Sequence, residues 1–440
     1  MTATSWAAHR GAALEGAARV PGDKSVSHRA IMLGSLAEGS SRVDGFLEGE
    51  DTRATAAAFA AMGVRIEAPS DGVRVLHGRG LHGLQAADAP IDCGNAGTGM
   101  RLLAGVLAGQ RFDSVLVGDA SLSRRPMARV VGPLAMLGAR IDSAPGGLPP
   151  LRVHGGRRLA GTTIALEVAS AQVKSALLLA GLYAQGETCV REPRPTRDYT
   201  ERMLGAFGWP LRSGPGGICL QGGHVLRAHD VQVPADFSSA AFLLVAATLV
   251  PGSDLLLTGV GLNPRRTGLL EALRLMGADI AMERRHESGG EPVGDLRVRH
   301  ARLHGIELPP ALVADMIDEF PALFVAAALA EGETRVSGAE ELRVKESDRI
   351  ATMAAGLRTL AVDLEERPDG IAIRGSGGRP LGGGDVDSHG DHRVAMAFAV
   401  AGQCSSDAVR IADCANVATS FPGFVRLAVG LGFGLEPASG

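Results

Sequence analysis

The chain has 440 residues, room for about three domains at roughly 150 residues each, with 45% hydrophobic and 21% charged side chains and a net charge of −4. That balance excludes a disordered chain, and the missing basic excess, with only 4% aromatic residues, argues against a nucleic-acid partner. The longest apolar run, Ala240 to Val250, falls short of the roughly 20 residues that span a bilayer, and the N-terminus carries no basic-then-apolar leader, so a cytoplasmic protein with no membrane partner is expected.

Helix-end patterns recur six times along the chain. They read Met62-Gly63-Val64, Leu137-Gly138-Ala139, Phe207-Gly208-Trp209, Met276-Gly277-Ala278, Leu360-Ala361-Val362 and Leu431-Gly432-Phe433. Each follows an Ala/Leu-rich run, a glycine, a short strand and a second helical run, so the units are small α/β repeats of about 70 residues. Glycine at that junction suits a helix C-cap leading into a strand, and the fifth copy lacks it. Grouping the six repeats into two lobes of three is one economical arrangement.

The first helices of the repeats are expected to start at Pro21 to Arg29, Gly94 to Arg101, Ala169 to Ser175, Asp236 to Ser239, Asp315 to Pro321 and Gly390 to Arg393. The second helices begin at Asp51-Thr52-Arg53, Ser123 to Pro126, Thr196-Arg197-Asp198, Asn263 to Arg266, Lys345 to Arg349 and Thr419 to Pro422. All first-helix segments read as N-caps, where free N–H groups and the helix dipole favour an anion. Small, multiply anionic substrates fit such a set better than polymers. Gly22-Asp23-Lys24-Ser25 lacks the glycines of a P-loop, and Gly94 to Gly99 is not the dinucleotide fingerprint. His28 and His392 have no metal-site context, and the five scattered cysteines suggest neither a disulfide framework nor a zinc site.

Only Lys24, Lys174 and Lys345 of the 44 basic residues are lysines. In so arginine-rich a chain, a lysine can mark a place where a compact ammonium is needed and a planar fork will not serve. Chance survival is the plainer explanation for any one of them.

Pro21 to Arg29, Gly94 to Arg101, Arg124-Arg125-Pro126-Met127, Ser170-Ala171-Gln172, Arg343 to Arg349 and Asp391-His392-Arg393 occur in that order. The series closely resembles the 5-enolpyruvylshikimate-3-phosphate synthases, over essentially the whole chain. The resemblance implies an α/β, two-lobed enolpyruvyl transferase fold of six βαβαββ repeats, three per lobe, arranged as an inside-out α/β barrel. It implies one lobe over residues 21–233 and a discontinuous second lobe from residues 1–20 plus 234–440. The implied reaction moves the enolpyruvyl group of phosphoenolpyruvate to the 5-hydroxyl of shikimate 3-phosphate and releases phosphate. No cofactor or metal is implied, and a monomer is expected.

By the same resemblance, shikimate 3-phosphate is held by Lys24, Ser25, Arg29, Ser170, Ala171, Gln172, Arg197, Asp318 and Lys345. Phosphoenolpyruvate falls to Lys24, Gly97, Arg125, Gln172, Arg349 and Arg393, whose cationic forks match carboxylate and phosphate. Asp318 is similar to the family carboxylate that takes the 5-hydroxyl proton, while Glu346 and Lys24 are candidates for proton traffic at the methylene carbon. The plainer account of Asp315, Asp318 and Glu319 is an acidic cluster favoured by a helix start. Ala171, Glu341, Arg197-Asp198 and Thr419, the last standing where a lysine is better known, are similar to a second, less glyphosate-sensitive branch, whereas Gly97 keeps the glycine associated with accommodating that inhibitor, and the resemblance leaves sensitivity open. The sister transferase that uses UDP-N-acetylglucosamine typically carries a cysteine near the region that here runs Asp113 to Arg125, and none stands there. A non-catalytic anion-binding repeat protein is the other alternative, and the joint presence of Lys24, Asp318 and Glu346 points away from it.

Overall fold

The computed structural model describes residues 5–214 and 216–438. Twelve α-helices are found among them. In chain order they are α1 Lys24–Leu36, α2 Glu50–Ala61, α3 Gly97–Ala108, α4 Ala128–Met136, α5 Ala171–Gly181, α6 Tyr199–Ala206, α7 Phe237–Leu249, α8 Gly268–Leu275, α9 Phe320–Leu329, α10 Arg349–Thr359, α11 His392–Gly402 and α12 Phe424–Gly430. No helix among the described residues is long and apolar enough to cross a membrane.

Contacts divide the chain into two compact units. Unit A comprises Gly22–Pro234 with Glu287–Glu291, and unit B takes the chain up to Pro21, Ala235–His286 and the chain from Pro292 onward. Each unit contains three small sheets with a common plan, a parallel pair followed by two antiparallel pairings. In unit A, Ile91–Asp92 runs parallel to Ser114–Val117, which pairs antiparallel with Leu148–His154, and that strand with Arg140–Ala144. Thr163–Ala165, Glu187–Arg191, Gly217–Gln221 and Leu211–Gly214 repeat the plan. The first sheet of unit A takes its parallel strand, Val231–Gln232, from the far end of that unit. The last sheet of unit B takes a central strand, Ser5–His9, antiparallel to both its neighbours, from the start of the chain. The repeats are therefore permuted in space relative to the sequence. In the fifth copy two isolated parallel bridges, His304 to Glu331 and Glu307 to Arg335, stand in for the missing strand.

The odd-numbered helices form the core of each unit. α9 is buried at all its positions and α7 at every position but Leu249, as expected of helices apolar all round. α3 and α5 approach so closely that a Cβ on Gly105 would stand 2.2 Å from the Ala176 carbonyl oxygen. The even-numbered helices keep one face in solvent.

The six helix-end patterns all close in one way. The third residue of each pattern donates to a carbonyl five residues back, as Val64 does to Phe59 (3.1 Å) and Val362 to Leu357 (3.0 Å), while the middle residue donates three back. That is the Schellman motif, with a left-handed residue at its centre. Five copies use glycine, from φ 81° at Gly208 to 113° at Gly432, and the fifth uses Ala361 at φ 62°. The repeat survives the missing glycine because the hydrogen bonds outweigh one residue's strain. A left-handed L-residue costs about 1–2 kcal/mol, and glycine returns about 0.4–1 kcal/mol of that as unfolded-chain entropy. Ala361→Gly should therefore raise the stability slightly, by less than about 1.6 kcal/mol; a lower midpoint in a thermal melt would contradict this.

The cysteines depart from the sequence reading. Cys189 and Cys219 face each other across the antiparallel ladder and form a disulfide with an S–S distance of 2.06 Å. Sheet register makes that pairing, which spacing along the chain does not reveal.

Candidate active site

In unit A the candidates Lys24, Ser25, Arg29, Gly97, Ser170, Ala171 and Gln172 stand at the cap or in the first two turns of the odd-numbered helices, whereas Arg125 and Arg197 precede α4 and α6. Asp23 caps α1, accepting from the Val26 amide at 2.9 Å, and takes a second bond from the Tyr199 hydroxyl at 3.1 Å. Lys24 follows it and forms an ion pair with the buried Asp51 of α2. Ser170 caps α5 by accepting from the Val173 amide at 3.4 Å. Gln172 joins two helix starts, accepting from Arg101 at 2.8 Å and donating to Thr98 at 2.8 Å. Arg125 donates to the Asn95 side chain and to Ser121 Oγ at 3.2 Å. A Cβ on Gly97 would stand 3.2 Å from a guanidinium nitrogen of both Arg101 and Arg125, so this glycine keeps the space between two cations open.

Arg29 is more deeply placed than its expected role suggests. It is 4% exposed, and donates to Thr200 Oγ1 at 2.6 Å, Ser175 Oγ at 2.8 Å and the Ser25 carbonyl at 2.9 Å. Burial pushes its guanidinium down to about 10, with Glu201 opposing the fall and Arg197 adding to it. Arg197 is thus electrostatically near Arg29. His28 is neutral for the same reasons, since burial, Lys24 and Arg29 all press its pKa well below the usual value. Its Nδ1 lies 2.8 Å from Thr55 Oγ1.

In unit B the site centres on Asp318. One carboxylate oxygen accepts from Arg266 at 3.0 Å and the other from Arg349 at 3.4 Å, while the Asp318 carbonyl accepts from Arg393 at 3.1 Å. Asp318 is therefore engaged with cations, unlike a residue whose role is to cap a helix. Glu319 stands at the cap position of α9 without a side-chain cap bond. It is fully buried, accepts from Ser238, and lies 3.5 Å from Arg266 and 3.8 Å from Arg393.

Arg349 is completely buried among three carboxylates. It donates to Asp391 at 2.8 Å, to Glu346 at 2.6 Å and to Asp318. Burial alone would lower its pKa, but Asp391, Glu346 and Asp318 outweigh it and hold it above the ordinary value. For Asp391 burial pushes upward, and Arg349 prevails against it and keeps the carboxyl below its usual range. Asp391 also caps α11 through the Arg393 amide at 2.9 Å. Lys345 pairs with Glu341 at 3.2 Å. The Thr419 hydroxyl donates to the Asn416 carbonyl at 2.7 Å, so its hydrogen is already committed.

The structure thus brings Ser25 and Arg29, then Gln172, Gly97 and Arg125, into linked groups within unit A, and Asp318, Glu346, Arg349 and Arg393 into one group within unit B. Not every first-helix segment is a side-chain cap as expected. Asp23, Ser170, Asp236 and Asp391 are, but α3 follows Ala96 and α9 follows Glu319 without one. Arg101 and Arg266 both lie in helix-start segments, where residue type alone gives neither of them a role.

The family model for EPSP synthase (3-phosphoshikimate 1-carboxyvinyltransferase) matches residues 8–427. A 3-phosphoshikimate 1-carboxyvinyltransferase of Xanthomonas campestris pv. campestris (strain B100) is 67% identical over 431 residues, 98% of each chain. One of Xanthomonas oryzae pv. oryzae (strain PXO99A) is 66% identical over 433 residues, again 98% of each. A solved EPSP synthase from Acinetobacter baumannii superposes with a TM-score of 0.90 at 50% identity, covering 99% of this chain and 100% of that one. The enolpyruvyl transferase NikO from Streptomyces tendae shares the fold at a TM-score of 0.81 and 18% identity, covering 100% of this chain and 99% of the other. Sequence motifs, sheet plan and relatives agree, and the chain belongs to the EPSP synthase (3-phosphoshikimate 1-carboxyvinyltransferase) family.

Proposed function

We infer that this chain transfers the enolpyruvyl group of phosphoenolpyruvate to the 5-hydroxyl of shikimate 3-phosphate, releasing phosphate. The observation that carries the reading is Asp318, a carboxylate engaged on each oxygen by an arginine, beside Glu346 and Arg393. An ionised carboxylate can accept the 5-hydroxyl proton as the new C–O bond forms to C2 of phosphoenolpyruvate. Glu346 or Lys24 delivers a proton to the methylene carbon, which becomes a methyl group in a tetrahedral ketal phosphate. Loss of that proton and of phosphate from C2 restores the double bond.

Shikimate 3-phosphate is assigned to Lys24, Ser25, Arg29, Ser170, Ala171, Gln172, Arg197, Asp318 and Lys345. Phosphoenolpyruvate is assigned to Lys24, Gly97, Arg125, Gln172, Arg349 and Arg393. Arg29 serves partly by holding the Ser25 backbone, given where its donors go. The reading extends to a monomer in the cytoplasm, sedimenting as a single chain.

Incubating the protein and phosphoenolpyruvate with either shikimate 3-phosphate or UDP-N-acetylglucosamine tests the acceptor. An enolpyruvyl ether should form on the first only, and its appearance on the second would reassign the enzyme. Gly97→Ala tests the donor side. The added methyl crowds Arg101 and Arg125, so KM for phosphoenolpyruvate should rise about tenfold, equivalent to roughly 1.4 kcal/mol, with KM for shikimate 3-phosphate little changed. A reversed pattern in steady-state kinetics would remove Gly97 from the donor site.

A further inference from the structure

Lys174 is one of three lysines in the chain, and the reaction as assigned gives it no part. Its side chain is 3% exposed. The ammonium nitrogen lies 2.8 Å from Glu192 Oε2, 2.7 Å from Glu201 Oε1 and 3.4 Å from the Thr196 carbonyl. Thr196 in turn donates its hydroxyl to Glu192. Three acceptors converge on one nitrogen in a closed space, a demand that a compact ammonium meets and a planar guanidinium does not. Here the lysine has a physical reason to be lysine.

These contacts join three pieces of unit A. Lys174 lies one turn into α5, on the helix that Ser170 caps and that carries Gln172. Glu192 follows the strand Glu187–Arg191, and Glu201 lies on α6. Between those two carboxylates runs the segment 192–198, which holds Thr196 and Arg197. The segment is thus tied near each end, and once in its middle, to a single group on α5. A parallel set of bonds, Thr200 to Ser175 at 2.7 Å and Arg29 to both, fastens α6 to α5 and α1. Burial presses the ammonium to lose its charge, but Glu201 and Glu192 prevail and hold it above its ordinary pKa. A buried ion pair adds little net stability over an apolar replacement, and in some proteins it serves to fix one geometry.

We propose that Lys174 is a positioning residue for the acceptor substrate, fastening the segment 192–198, and with it Arg197, against the helix start that carries Ser170 and Gln172. The proposal rests on the assignment of Arg197 to shikimate 3-phosphate. It predicts that loss of Lys174 loosens one wall of that site and leaves the donor site as it was.

The experiment measures KM for both substrates on Lys174→Met, Arg197→Ala and the double variant. Lys174→Met should raise KM for shikimate 3-phosphate about tenfold or more, a loss of roughly 1.4 kcal/mol, with KM for phosphoenolpyruvate close to the parent's. In the Arg197→Ala background the same change should have little further effect, because the lysine acts through the arginine. Equal rises in both KM values, or effects that multiply in the double variant, would overturn the proposal. Glu192→Gln covers the case in which Lys174→Met does not fold, since it leaves the Lys174–Glu201 pair and removes one of two carboxylates facing one cation. It should give the same split with a smaller amplitude, and an unchanged KM for shikimate 3-phosphate would overturn the proposal. Normal kinetics in Arg197→Ala would instead remove Arg197 from the site and the proposal with it. A defect in Arg197→Ala alone would reject only the role of Lys174.

Discussion

Asp318→Asn is expected to lower kcat by about 10²–10⁴, the usual worth of a general base, while shikimate 3-phosphate still binds. The amide nearly matches the carboxylate in shape but has no ionised oxygen to take the 5-hydroxyl proton. Its NH2 group must also face either Arg266 or Arg349, since each contacts one oxygen of the native carboxylate. Some local rearrangement follows, yet the phosphate of the ligand is assigned elsewhere, to Ser25, Ser170 and Lys345. Ligand titration and turnover on one preparation would check this. Affinity lost in proportion to activity, or an unchanged kcat, would return Asp318 to the acidic cluster of a helix start.

Arg349→Met should produce the largest loss of stability. The guanidinium is fully buried and neutralises Asp391, Glu346 and Asp318. Removing one partner from such a cluster typically costs about 3–5 kcal/mol, because the charges left behind stay buried. The pH dependence should change sign as well. In the parent Asp391 lies below the ordinary carboxyl value, so its contribution is present above the unfolded pKa and lost as acid reaches the folded one. Without Arg349, burial dominates and raises the Asp391 pKa, so the folded state is favoured by protonation and loses stability as pH rises. The deficit in melting temperature should therefore be greatest near neutrality and shrink in mild acid. A deficit independent of pH would mean that lost packing, not uncompensated charge, sets the cost.

The six-repeat plan was legible because a Schellman motif imposes a glycine at a fixed place, and six such places at similar spacing stand out. Ala361 shows the limit of that signal, since the backbone there is left-handed with or without glycine. The pairing of Val231–Gln232 and Ser5–His9 with distant strands leaves no local mark in the sequence, and only the family resemblance implies a discontinuous lobe that includes residues 1–20. The same holds for the Cys189–Cys219 disulfide, which depends on the register of one ladder. Caps at Asp23, Ser170, Asp236 and Asp391 could be read from residue type, whereas Glu319, read with Asp315 and Asp318 as a helix-start acidic cluster, is a buried partner of Arg266 and Arg393. Arg266 was missed for a related reason. An arginine before a helix is usually solvated, and only the fold reveals that this one is buried against Asp318.

The central claim is that this chain performs enolpyruvyl transfer and recognises the 3-phosphate of its acceptor. Phosphate release from phosphoenolpyruvate, followed after adding shikimate 3-phosphate or shikimate alone, tests it most directly. The account predicts rapid stoichiometric release with shikimate 3-phosphate and far slower release with shikimate, which lacks the phosphate that the proposed function assigns to Ser25, Ser170 and Lys345. Equal release with both acceptors, or binding of shikimate 3-phosphate with no release at all, would contradict it.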